Sequence, residues 1–437
     1  MRLRPVLINV CVLASTLLLC LLAIEAWLRV SDSSWERQRR LYAEGRASLH
    51  YLHAAAGYDY LAPQQVGRHR TACTDTRPVS VDHEGFRGAS RRADSAIVIL
   101  GDSFAEGLHV PDGLTLADRL EAVLGEPVLN AGVSGYATSH ALIAWRERLR
   151  PKQPRLVILA LYLGNDISGN SCKLSRTDPP CGEIKQGKAS LSMERLPPPG
   201  AAAMARQDAS ATPRSGPSIL PQLRHLFRKH LALYALGHDV RLILQGLTTS
   251  SMDPRWGMYR RTVDADWAEA WAVTEYLLAR LKEETRAAGA TLVLLSIPEF
   301  LALAPDPSRL VRFGSGSRFP EDFEAALPSQ RLMNIAANLD IPALDLLPVF
   351  TGYRDRHRLP PPYFSFSCDG HWNPLGHAIA AEALANFVVR HGLVDAPSPA
   401  SSNLMDVAPR SLLGEVAYAQ IYSSGIYRPE TNSTGNR

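Results

Sequence analysis

Residues 96–104 read Ala-Ile-Val-Ile-Leu-Gly-Asp-Ser-Phe. A short apolar run that stops at Gly101-Asp102-Ser103 has the form of a strand buried on both faces, and the stretch from Leu114 to Leu124 that follows has helical spacing. A strand that leads into a helix in this way puts the Ser103 hydroxyl at the carboxyl edge of a parallel sheet, which is where such folds bind ligands. Taken alone, Gly-Asp-Ser is also what an ordinary helix cap looks like.

The same alternation recurs outward from this point. Pro127 to Asn130, Leu156 to Leu163, Thr291 to Ile297 and Ile341 to Leu346 read as further strands. Ser139 to Leu149, Trp267 to Ala288, Glu321 to Leu339 and Leu375 to His391 read as helices. Near-continuous apolar strands between amphipathic helices imply an α/β fold whose parallel sheet is covered on both faces.

Three further signals fall at strand ends or just before the last helix. Asn130-Ala131-Gly132-Val133-Ser134-Gly135 follows the second strand, and Gly164-Asn165-Asp166 follows the third. Asp369-Gly370-His371-Trp372-Asn373-Pro374 precedes the terminal helix, with Asn373 as its cap and Pro374 in its first turn. In that order these segments resemble the blocks of the SGNH, or GDSL-like, hydrolase superfamily over residues 95–393. Gly85-Phe86-Arg87-Gly88 and the N-terminus also look like its bacterial membrane-anchored members.

The resemblance implies a flavodoxin-like three-layer sandwich with a five-stranded parallel sheet. It implies Ser103 as nucleophile, His371 as general base and Asp369 as the acid that orients His371. The backbone N–H groups of Ser103 and Gly135 and the side-chain amide of Asn165 would form the oxyanion hole. The chemistry asks for such groups: serine needs a base to take its proton, and donors placed beforehand stabilise the charge that develops on the former carbonyl oxygen. Many family members have the acid three residues before the histidine, whereas Asp369 and His371 stand two apart, which still points both to one side of an extended loop. His377 is a rival base by residue type, and packing is its alternative role. Asn130 and Asp166 are expected to organise loops, and Cys368 adjoins the site.

Around this core the chain of 437 residues carries additions. Residues 1–28 are expected to be an uncleaved membrane signal anchor, since Val6 to Ile24 carries no charge and is about long enough to cross the hydrocarbon core. Residues 29–88 would be a juxtamembrane and lead-in segment, 89–166 and 264–393 the hydrolase core, and 394–437 a Ser/Pro/Asn-rich tail without order. The insertion at 167–263 holds a Pro-rich linker and a basic amphipathic helix from Leu223 to Leu247. That helix could cover the active site, lie on the membrane through Arg224, Arg228 and Lys229, or pack on the core.

The net charge of +4, with basic residues scattered, excludes the footprint of a nucleic-acid binder. Cys172 and Cys181 are the easiest pair to join in an oxidising compartment, with free thiols as the alternative. No close Cys-x-x-Cys or His-x-x-x-His spacing suggests zinc, and no cofactor is expected. The function expected is hydrolysis of a short acyl ester on an envelope glycan or small molecule, on the periplasmic face of a bacterial inner membrane. Two alternatives are an O-acyltransferase using the same residues, supplied by a membrane acyl-donor partner, and a glycan-binding or assembly protein without catalysis.

Overall fold

A computed structural model describes residues 3–31, 36, 39, 50–51, 59–60, 66–70, 74–88, 96–175, 180–192, 219–248, 254–305, 322–366, 370–395 and 406–413. Five strands form the central sheet: β1 (Ile97–Gly101), β2 (Val128–Gly132), β3 (Leu156–Tyr162), β4 (Thr291–Ile297) and β5 (Ala343–Asp345). All neighbours run parallel, in the order β2-β1-β3-β4-β5. This is the flavodoxin-like order, with its topological switch point between β1 and β3.

Successive residues along each strand enter two different cores, as the period of two requires. On one face Val98, Leu100, Val157, Leu159, Leu292 and Leu294 are buried. They pack with helices α4 (Thr138–Ala144), α8 (Ala265–Ala287) and α9 (Leu327–Asn338). On the other face Ile97, Ile99, Ile158, Ala160, Val293 and Leu295 are buried. There they meet α2 (Ser103–Glu106), α3 (Leu116–Leu124), α10 (Leu346–His357) and α11 (Pro374–Arg390). Coverage of both faces explains why the strands read as unbroken apolar runs.

The lead-in segment is part of this body. Val81 and Phe86 join the first core, and Arg87 bridges to Asn130 at the edge of β2. The helix expected from Glu321 starts only at Leu327, where Pro328 sits in the first turn and has no N–H to lose. The apolar run Ile341 to Leu346 is strand only over Ala343–Asp345, because the Asp345 side chain accepts from Leu347 N–H and starts α10, a helix the apolar pattern concealed. The tail expected to lack order carries a short helix, α12 (Pro409–Leu413). Leu412 and Leu413 pack on the core, and Tyr353 donates its hydroxyl to the Val407 carbonyl at 2.6 Å.

The insertion contains a hairpin of Cys181–Lys185 with Lys188–Ser192, tied to residue 172 by the Cys172–Cys181 disulfide. α5 (Asp166–Asn170) precedes it, and Asn170 Nδ2 donates to the hydroxyls of Thr138 and Thr274, so α5 is held between α4 and α8. The expected basic helix is two helices, α6 (Ile219–His230) and α7 (Ala232–Thr248), broken at Leu231. α1 (Leu3–Val30) contains one stretch, Cys11–Val30, long and apolar enough to cross a membrane, and most of its side chains are exposed.

Candidate active site

Ser103 opens α2 directly after β1, and it alone of residues 97–111 keeps partial exposure. Asp102 caps that helix by accepting from the Phe104 N–H at 2.9 Å. Two close contacts hold α2 against β2. Gly132 leaves no room for a side chain, since a Cβ there would lie 2.4 Å from the Glu106 nitrogen. Asn130 donates to the Ala105 carbonyl at 2.8 Å and accepts from Gly132 N–H at 3.0 Å, so it organises this loop as expected from its position.

The segment after β2 is fastened from below. The buried Glu106 carboxylate accepts from Ser134 N–H at 2.9 Å and from the Ser134 hydroxyl. Gly135 follows with φ of +84°, a conformation that glycine adopts without cost, and nothing within 4 Å of a would-be Cβ. Its backbone is exposed at the rim. Asn165, also exposed, follows β3, and its Nδ2 reaches Asp102 Oδ2 at 3.4 Å. The carboxyl ends of three adjacent strands therefore carry Ser103, Gly135 and Asn165.

His371 arrives from the other end of the chain. The Phe366 N–H donates to its carbonyl at 2.8 Å. Two residues later Asn373 caps α11, accepting from Leu375 and Gly376 N–H groups and donating to the carbonyls of Tyr363 and Ser365. This fixes the approach of the imidazole, whose Nε2 lies 2.8 Å from Ser103 Oγ across 268 residues of sequence. Asp369 and Cys368 lie outside the described residues. His377 is buried in α11, edge-on to Trp372, and burial lowers its pKa to about 3, so it is neutral.

Several contributors were not legible in the motifs. The His371 ring is held between Phe104, with centroids 5.1 Å apart, and His109, 4.1 Å away and inclined by only 11°. His69 meets His109 edge-on at 4.7 Å. The loop that bears His109 is clamped by Arg87, whose fully buried guanidinium pairs with Asp112 and donates to the carbonyls of Ser80 and Val110. The Gly-Phe-Arg-Gly stretch thus acts on the site through that loop. The sequence had marked that stretch only by its resemblance, without a role for Arg87.

Besides Glu106, two buried acids lie at the rim, Asp102 and Asp166. Burial pushes Asp102 up to about 6, against the Phe104 N–H and the charge of His371, which both pull it down. Burial, and then the proximity of Asp102, raise Asp166 well above the usual carboxylate range. Asp166 Oδ2 accepts from Tyr162 N–H at 3.0 Å, while its buried Oδ1 meets no hydrogen-bond partner among the described residues. Among the described residues no group of three or more His, Cys, Asp or Glu side chains is gathered as metal ligands.

No family model matches the chain, and no curated protein does. Solved structures do match in part. One is a two-domain esterase active on acetylated mannans, with 13% identity and a TM-score of 0.35 over 71% of this chain and 55% of that one. A second is described as a lipolytic protein of the G-D-S-L family from Desulfitobacterium hafniense, with 9% identity and a TM-score of 0.32 over 67% and 98%. A third is a catalytic mutant of an acetylxylan esterase from Geobacillus stearothermophilus, with 14% identity and a TM-score of 0.34 over 67% and 93%. The chain spans just over half the length of the first of these. The fold class rests on the strand order described above.

Proposed function

We propose that the protein is a serine esterase that cleaves short acyl esters through an acyl-Ser103 intermediate. The observation that carries this reading is the 2.8 Å contact between Ser103 Oγ and His371 Nε2 at the carboxyl rim of a parallel sheet. In this reading His371 takes the Ser103 proton as the oxygen attacks the ester carbonyl, then returns it to the leaving alcohol. The N–H groups of Ser103 and Gly135 and the Asn165 amide face the oxyanion, each donor being worth roughly a hundred- to a thousandfold in rate. Asp369 is assigned as the orienting acid on its position in sequence alone. Water releasing the acyl group makes the enzyme a hydrolase.

The substrate we propose is an acylated glycan of the bacterial envelope, with the catalytic domain on the periplasmic side of an inner membrane crossed once by α1. The apolar length of Cys11–Val30 supports the anchor, and the Cys172–Cys181 disulfide supports an oxidising compartment. Anchoring also favours a second reading. A sugar hydroxyl in place of water, with acyl groups delivered by a membrane donor, would make the same residues an O-acyltransferase. Hydrolysis of p-nitrophenyl acetate by the full chain in detergent, with Ser103→Ala beside it, tests the serine chemistry: equal rates would refute it. A glycan with free hydroxyls added to the same assay separates the two: transfer esterifies the glycan, whereas hydrolysis releases free acetate.

A further inference from the structure

The insertion meets the anchor at one well-defined point. Glu25, the one acidic residue of α1, accepts from the N–H groups of Ala232 at 3.1 Å and Leu233 at 2.8 Å and pairs with Arg29. Those two N–H groups open α7, so the acid caps that helix. Arg29 donates to the His230 carbonyl and Arg39 to the Lys229 carbonyl, which are the last carbonyls of α6. The elbow between α6 and α7 is thereby fastened to the end of α1. With 1.5 Å per residue, Glu25 stands only about 7 Å inside the end of the span at Val30.

α6 itself is amphipathic, with an apolar stripe on one side and basic residues on the other. Leu223, Leu226 and Phe227, at i, i+3 and i+4, form one apolar stripe and are 40%, 49% and 43% exposed. Arg224, Arg228 and Lys229 occupy the opposite side, and every described side chain from Leu223 to His230 is exposed. On α7, Val240 and Leu244 are also exposed, one turn apart. An apolar stripe left in water is costly, and a basic face beside it suits anionic headgroups.

We infer that α6 lies in the surface of an anionic lipid bilayer, held at the end of α1 with Leu223, Leu226 and Phe227 among the acyl chains and Arg224, Arg228 and Lys229 at the headgroups. The depth of the elbow agrees with the roughly 5–10 Å to which interfacial helices sink. The inference rests on α1 spanning the membrane. It turns the insertion into a second foothold that limits how the catalytic domain can tilt over the bilayer.

The test uses the full chain in nanodiscs of phosphatidylcholine, with or without phosphatidylglycerol, that contain a phospholipid bearing a diazirine in its acyl chain. On irradiation, α1 and the peptide spanning residues 223–227 should both be labelled. In discs with phosphatidylglycerol the amides of 223–230 should exchange roughly tenfold more slowly than in discs without it. In the variant carrying Leu226→Ser and Phe227→Ser, labelling of α1 should persist while that of 223–227 is lost. Labelled α1 with unlabelled α6, or equal α6 labelling in parent and variant, overturns the inference. If neither helix is labelled the anchor reading itself falls. Protection of α6 that follows protein concentration instead of lipid would make the stripe a contact between copies, and would also overturn it.

Discussion

The central sheet and the anchor with its elbow use the same residue types under opposite rules. In the sheet, leucines such as Leu294 and Leu295 have no exposed surface, whereas on α1 Leu13 and Leu19 are 67% and 66% exposed. The polar groups differ in the same way. Asp102 and Glu106 hold the turns at the sheet's carboxyl rim, while Glu25 sits in an apolar helix to seat a second element. The sheet's leucines are shielded by the helices that cover them, whereas Leu13 and Leu19 of α1, in a stretch long and apolar enough to cross a membrane, have no such cover among the described residues.

The largest effect that would break this contrast is chemical. Ser103→Ala should lower ester hydrolysis by at least about a thousandfold while leaving the melting temperature within error, as measured by kcat/KM and calorimetry. A thousandfold loss with a collapsed melting transition would instead make the rim a structural feature like the elbow.

In the sheet, Leu294→Ala should destabilise the chain by about 2–5 kcal/mol in denaturant unfolding, because the surrounding strands cannot close the cavity. The matching change on α6, Leu226→Ala, should shift the same transition by less than about 0.5 kcal/mol in detergent, since Leu226 is 49% exposed and belongs to neither core among the described residues. Comparable losses at the two positions would erase the distinction between the regions.

Acid titration sharpens the comparison further. Asp102 has a folded-state pKa raised from 3.8 to about 6, so the native state keeps its proton where the unfolded chain has lost it. Its contribution favours folding below about pH 4 and is lost as the pH rises through about 6. Asp102→Asn should therefore narrow the difference in unfolding free energy between pH 4 and pH 7, read from urea titrations at each pH.

A smaller effect is expected at the fastening below Gly135. Glu106→Gln weakens the two acceptor bonds to Ser134 without opening a cavity. It should lower kcat about tenfold with KM nearly constant, because the loop bearing the Gly135 N–H is then less well placed. A change confined to KM would assign Glu106 to substrate binding.

Much of the sheet was legible because both faces are buried, so its strands appear as apolar runs broken by glycine. The block ends were legible for a related reason: where a buried strand stops, small residues and hydrogen-bonding side chains make the turn. Less visible were elements whose signals overlap. Leu346 looked like the end of a strand and proved to start α10, since apolar residues serve either element equally and only the Asp345 cap decides. The single amphipathic helix of the insertion is two, broken at Leu231 where Glu25, 207 residues before Ala232, accepts from the Ala232 N–H.

Local sequence was sufficient to determine that this chain makes a doubly covered parallel sheet, that Ser103 stands where its first strand ends, and that one N-terminal stretch is apolar enough for a membrane. These follow from periodicity and turn chemistry, which act over a few residues. The ring stack of His109 on His371, the clamp of Arg87 on the loop that bears His109 and the seat of α7 on Glu25 were decided only in three dimensions. Each joins residues far apart in sequence, and the free energy of such a contact depends on burial and direction, which no run of neighbouring residues records.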